Sequence, residues 1–164
     1  MWTGTCEWIG DADCGGMIAW IRGISFSQWP QQHKIDHQLR PAMVQDTEWH
    51  GFRDQYRPII DEFERVNQRS LPAGFRTTNP MLSVVMPGHE ILPHRDVLAD
   101  NWICRIHIPL TYSKAVFIIG GEEHRMLPGS AYRVNISRIH AVYNYGPTPR
   151  IHFMFDCYDA QGST

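Results

Sequence analysis

The 164-residue sequence contains no long apolar run; the best, Ala115 to Ile119, is far too short to cross a bilayer. The first residues, MWTGTCEWIGDADCGG, carry no basic stretch followed by an apolar one, so no secretory leader is expected there. The formal net charge is only −2, which provides neither a basic groove for nucleic acid nor a basic face for a membrane. The four cysteines, Cys6, Cys14, Cys104 and Cys157, form no CxxC pair and have no zinc-finger spacing. Free thiols and a cytoplasmic location are the expectation; a Cys6–Cys14 bridge or ligand pair is the alternative. No internal repeat or low-complexity tract is present. What the chain does have is nine histidines and six tryptophans.

The chain is read as a single domain, 1–164, whose character changes near residue 72. Residues 1–72 are helical or irregular support. Trp49 to Tyr56 and Pro58 to Gln68 read as helices; Pro58 suits a first helical position, and Ile59, Phe63 and Val66 recur at helical spacing. One early strand is expected around Met17 to Ile21. From residue 73 to 160 the pattern is strand, turn, strand. Met81 to Met86, Trp102 to Leu110, Ala115 to Ile119, Glu123 to Leu127, Ser130 to Asn135, His140 to Tyr145 and Arg150 to Tyr158 are rich in β-branched and aromatic residues. Pro87-Gly88, Gly120-Gly121, Pro128-Gly129 and Gly146-Pro147 punctuate them. No helix separates these strands, which argues against a parallel βαβ sheet. The expected fold is mainly β, a double-stranded β-helix (jelly roll, cupin-like) with N-terminal helices packed outside.

The chemistry centres on PGHEILPHRD. In an extended chain residues i and i+2 point to one side, so His94 and Asp96 can reach one ion. His140, in RIHAVYNYG, is the candidate third ligand, brought face to face with the pair by an opposite strand. Two histidines and one carboxylate on one face of an octahedral ion leave three positions open, the donor set of non-haem iron(II) oxygenases. The competing reading is a loop histidine beside a solvated Arg-Asp pair. Arg150, at the head of the apolar strand RIHFMFD, adds weight: a buried guanidinium is costly unless an anion neutralises it, and its planar fork suits a carboxylate. A dicarboxylate such as 2-oxoglutarate would do so; an internal Asp or Glu is the alternative.

Taken together, PGHEILPHRD, CRIHIPL, PGSAYRVN with RIHAVYNYG, and PRIHFMFD resemble the aspartyl/asparaginyl β-hydroxylase family of iron(II)/2-oxoglutarate-dependent dioxygenases, to which bacterial free-proline hydroxylases are related. The resemblance implies iron held by His94, Asp96 and His140, with 2-oxoglutarate and dioxygen consumed and succinate and CO2 released. It further implies that Arg150 and Ser83 hold the distal carboxylate of 2-oxoglutarate, and that Arg105 and His107 line the co-substrate pocket. For these last two the plainer readings are an ion pair and a hydrogen-bonded core histidine. Animal members carry glycine where Asp96 stands, so the chain resembles the bacterial type with a full triad, and the carboxylate argues for hydroxylation over halogenation.

The implied substrate is a small molecule, with an amino acid favoured because the chain is short and shows no peptide-recognition module; a protein substrate hydroxylated at Asp, Asn or another residue is the alternative. Neither nucleic acid nor membrane is an expected partner, and the sequence leaves the oligomeric state open. His89, Glu90, Arg95, Trp102 and Arg138 flank the metal motifs as candidate pocket residues. His33, His37, His50, His124 and His152 receive no role; His152 shares strand parity with Arg150 but is read as a core histidine. A non-redox metal-binding cupin, a silent binding domain and a zinc hydrolase remain as rival classes.

Overall fold

A computed structural model describes residues 2–22, 43–46, 61, 65 and 75–160. Among the described residues the elements run in the order β1 (Cys6–Asp11), α1 (Gly15–Arg22), β2 (Met43–Asp46), β3 (Phe75–Val85), β4 (His89–His94), β5 (Trp102–Pro109), β6 (Val116–Ile119), β7 (Glu122–His124), β8 (Ser130–Val134), β9 (His140–Asn144) and β10 (Arg150–Asp159). Every strand pairing is antiparallel. A six-stranded sheet runs β1-β8-β5-β10-β3-β2 and a four-stranded sheet runs β4-β9-β6-β7. From β3 onward the chain crosses from one sheet to the other at each strand, except that β6 and β7 follow one another in the smaller sheet, which gives the expected double-stranded β-helix.

The turns that route the chain are dictated by residue type. Pro87 and Gly88 occupy the centre of the turn from β3 into β4; Gly88 takes φ 76° and the His89 amide donates to the Met86 carbonyl at 3.2 Å. Proline presets the first central position of such a turn, and only glycine accepts the second without strain. The β6–β7 hairpin needs two consecutive positive φ values, supplied by Gly120 at 58° and Gly121 at 86°.

The central strand β10 is buried on both faces. On one face Ile151, Phe153, Phe155 and Cys157 join Val84, Cys104, Ile106 and Ile108 in an apolar core. The other face, which looks toward the smaller sheet, carries Arg150, His152, Met154 and Asp156, with Ser83 opposite His152 and Arg105 opposite Asp156. The strand thus sorts its residues by parity into a core side and a polar side.

Several expectations change. Met17 to Ile21 is not a strand: it lies in α1, where the Ile18 amide donates to the Cys14 carbonyl at 2.9 Å, and Asp13 Oδ1 accepts from the Gly15 amide at 3.2 Å ahead of it. A short apolar run has no period that separates strand from buried helix, so local capping decided. Strands β1, β2 and β4 were not expected, and β3 begins earlier than Met81. The helix expected over Trp49 to Tyr56 lies outside the described residues; of the one over Pro58 to Gln68, Asp61 and Arg65 are described, and both are helical. All four cysteines are free. No helix among the described residues is long and apolar enough to cross a membrane.

Candidate active site

His94 ends β4 and His140 begins β9, and the two are directly paired in register after an irregularity between Ile91 and His94. They are therefore neighbours in one sheet rather than partners across the barrel, with ring centroids 4.3 Å apart. Asp96 lies just past the end of β4, its amide donating to the Ile136 carbonyl at 3.1 Å. The ligand atoms of His94, Asp96 and His140 all lie within 4.8 Å of one another, the one such group of three or more among the described residues. His94 Nε2 stands 3.5 Å from Asp96 Oδ1, close to the separation of about 3 Å that two adjacent donors take on one ion at ~2.1 Å.

The protonation pattern of both imidazoles follows from their outer partners. His94 Nδ1 lies 2.8 Å from the Leu92 carbonyl and His140 Nδ1 lies 2.9 Å from the Arg138 carbonyl. A carbonyl only accepts, so each Nδ1 holds the proton and donates it, leaving the Nε2 lone pair toward the centre. Hydrogen bonding to Asp96 raises the His94 pKa, whereas burial lowers that of His140. Burial alone would raise the Asp96 carboxyl, but the His94 hydrogen bond and the Arg105, His140 and His94 charges outweigh it and hold the group at about 2. Asp96 is thus a carboxylate at neutral pH. These donors, two imidazole lone pairs and one carboxylate, fit a divalent ion of the iron(II) type.

Arg105 lies behind Asp96. Its Nη1 donates to Asp96 Oδ2 at 2.9 Å, while Nε and Nη2 grip Asp156 in a two-pronged bond at 2.9 Å each. The Trp102 indole also donates to Asp156, at 3.1 Å. Three of the five guanidinium N–H groups are thereby spent on carboxylates, and Asp96 keeps Oδ1 for the metal side.

A second, differently furnished region lies along the same face of the larger sheet. Arg150 is 3% exposed and, among the described residues, has no carboxylate partner; its Nη2 contacts His152 Nδ1 at 3.0 Å. Burial alone pulls its pKa down from 12.5 to about 9, which still leaves it charged at pH 7. His107, equally buried, reaches toward His152 Nδ1 at 3.4 Å, and its Nε2 has no partner among the described residues. Phe117 links the two regions, 5.7 Å from the His107 ring and 6.0 Å from that of His140. Ser83 is buried directly opposite His152. A metal-ligand trio and a buried cation thus lie near each other, with Phe117 between them.

Two residues that the sequence reading passed over fix Arg150 in place. The Thr111 hydroxyl donates to the Pro149 carbonyl at 2.8 Å and accepts from the Ile151 amide at 2.9 Å, bracketing Arg150 from both sides. The Asn144 amide donates to the carbonyls of Val85 and Thr148 at 2.8 and 2.9 Å, and its oxygen accepts from the Gly146 amide. Asparagine ahead of Gly-Pro is the only sequence signal for this lock. The remaining pocket candidates scatter. Trp102 is buried under Asp156, Arg138 donates to the Thr3 carbonyl, Glu90 accepts from the exposed Tyr145 hydroxyl at 3.2 Å, His89 contacts the Pro87 carbonyl, and Arg95 is exposed.

Comparison with known proteins gives the family and the fold. The profile of the family described as aspartyl/asparaginyl beta-hydroxylase matches residues 54–160. The chain belongs to that family. The matched stretch holds every residue of the trio and of the arginine pocket. No curated protein sequence matches the chain. Among solved structures, the family fold is shared with AviO1 from Streptomyces viridochromogenes Tue57 at 13% identity and TM-score 0.66, covering 98% of this chain and 92% of that one. A Pseudomonas putida prolyl-4-hydroxylase aligns at 14% identity and TM-score 0.61, covering 96% and 94%. The viral collagen prolyl hydroxylase of Paramecium bursaria Chlorella virus-1, solved with 2OG, aligns at 11% identity and TM-score 0.61, covering 96% and 97%.

Proposed function

We propose that the chain is an iron(II)- and 2-oxoglutarate-dependent dioxygenase that hydroxylates an amino acid or an amino-acid-like small molecule. The observation that carries this reading is the juxtaposition of the His94/Asp96/His140 trio with a buried guanidinium that has no carboxylate partner among the described residues. Family membership supports the same chemistry, as does the 2OG complex of the viral neighbour. A non-redox metal cupin would need the trio but has no use for Arg150.

His94 Nε2, Asp96 Oδ1 and His140 Nε2 would hold the metal, which supplies the oxygen chemistry when bound. Arg150 would take the distal carboxylate of the co-substrate through its unspent N–H groups, with Ser83 and His107 beside it. Because these groups lie deep in the barrel, they exclude water from the charge pair and strengthen it. Arg105, fixed by Asp156, keeps Asp96 ionised and aimed. Arg95, exposed beside Asp96, is the cation we assign to the substrate's own carboxylate; a protein substrate is the second form of the same reading.

The test supplies iron(II), 2-oxoglutarate and oxygen, and follows succinate with and without free amino acids and capped peptides. Succinate release stimulated by a free amino acid is the expected result. Stimulation by capped peptides alone would move the assignment to a protein substrate. Absence of both turnover and 2-oxoglutarate binding would overturn it.

A further inference from the structure

The site contains a buried histidine, His152, to which the reading above gives no role. We propose that His152 is a positioning residue for Arg150, a neutral acceptor that aims the guanidinium without discharging it. The proposal rests on the dioxygenase reading above and adds a residue to it.

The geometry assigns the roles. A guanidinium has donors only, so the 3.0 Å contact between Arg150 Nη2 and His152 Nδ1 requires a lone pair on that nitrogen. His152 therefore carries its proton on Nε2 and is uncharged. Burial drives its pKa well below the ordinary histidine value, and the neighbouring Arg150 and His107 push the same way. His107 approaches the same nitrogen from β5, and Ser83 lies opposite on β3, so the ring is set between strands. Arg150 thereby gains a fixed orientation. Among the described residues no carboxylate compensates its charge.

An aspartate at position 152 would accept a stronger hydrogen bond, but it would also close an ion pair with Arg150. An incoming carboxylate would then have to displace it. A neutral acceptor avoids that competition. Charge at 152, and not shape, should therefore govern anion affinity, a contrast that a packing role does not produce.

The experiment uses the full chain loaded with manganese(II) without oxygen, titrated calorimetrically with 2-oxoglutarate. His152→Asn and His152→Asp are nearly isosteric and both place an oxygen acceptor toward Arg150. His152→Asn is expected to stay within about threefold of the wild-type Kd, and His152→Asp to weaken binding by at least about 30-fold, the range for a competing buried charge pair. His152→Leu, which leaves Arg150 unaimed, should fall between them. The His152→Gln and His152→Glu pair repeats the contrast if a shorter variant does not fold. Equal losses in the charged and neutral members of a pair, or a leucine variant that matches wild type, would overturn the role of His152 alone. A wild-type protein that binds no 2-oxoglutarate would overturn the dioxygenase reading, and this inference with it.

Discussion

Replacing Arg150 with methionine should make the ligand-free protein more stable and the pocket nearly blind to 2-oxoglutarate. Burial lowers the Arg150 pKa from 12.5 to about 9. At ~1.4 kcal/mol per pKa unit this is a penalty of about 5 kcal/mol on the charged form, present in full below pH 9 and relieved as pH rises toward the unfolded value. Methionine removes that penalty but strands the His152 acceptor, which costs back about 1–3 kcal/mol. The net is about 2–4 kcal/mol of stabilisation, or a melting temperature higher by roughly 4–16 °C for a chain of this size. Loss of the charged partner should weaken 2-oxoglutarate binding by about 2–5 kcal/mol, at least about 30-fold in Kd. Thermal melts of the manganese-loaded protein with and without 2-oxoglutarate read both effects. Wild type should start lower and gain strongly from the ligand, whereas Arg150→Met should start higher and gain almost nothing. A variant that melts below wild type and still responds to 2-oxoglutarate would refute the uncompensated-cation argument.

Other perturbations address the rest of the site. Asp96→Gly removes a ligand and should lower manganese(II) affinity by at least about 100-fold, above the loss typical of an outer-shell partner; unchanged affinity in calorimetry would remove Asp96 from the donor set. Asp156→Ala leaves Arg105 with one carboxylate in place of two, and should cost about 3–5 kcal/mol in urea unfolding; a loss under ~1 kcal/mol would show that Arg105 does not depend on it. His107 and His152 are held neutral by burial, so each should destabilise the protein by about 1.4 kcal/mol per pH unit as pH falls below 6.5, where the unfolded chain takes up their protons first. His94 is shifted upward and works in the opposite sense, its contribution being complete below 6.5 and lost as pH rises through its folded value. Urea midpoints at pH 7, 6 and 5 should therefore decline in wild type and flatten in His107→Phe/His152→Phe.

Much of the second half was legible because its strands combine β-branched residues with Gly and Pro at the turns; Trp102 to Leu110 and Arg150 to Tyr158 map onto β5 and β10 almost to the residue. Strand β4 was not legible. HEILPH carries a proline and has a register irregularity before His94, so it shows no clean alternation. The His94–His140 neighbourhood depends on that irregular pairing, a non-local contact that sequence spacing does not encode. Arg105 illustrates a different limit. Its parity with His107 is readable, but the bridge from Asp96 to Asp156 joins residues 60 positions apart in sequence and emerges only when β5 lies beside β10. His152 was placed on the right face by parity, yet its bond to Arg150 depends on which nitrogen faces which, a matter of rotamer and not of pattern.

The bridge from Asp96 through Arg105 to Asp156 has a consequence for how the cavity fills. Asp96 and Asp156 carry two negative charges, and Arg105 and Arg150 carry two positive ones, so these four groups are balanced when the cavity holds nothing. A divalent cation entering alone leaves an excess of two positive charges in a poorly solvated interior, and a dianion entering alone leaves the opposite excess. Together they restore balance. On the proposed reading, metal and dicarboxylate would thus be linked ligands: each should raise the other's affinity by the same factor, on the order of 1–3 kcal/mol of coupling. The two carboxylates that hold Arg105 would thereby make the pair, and not either ligand singly, the favoured state.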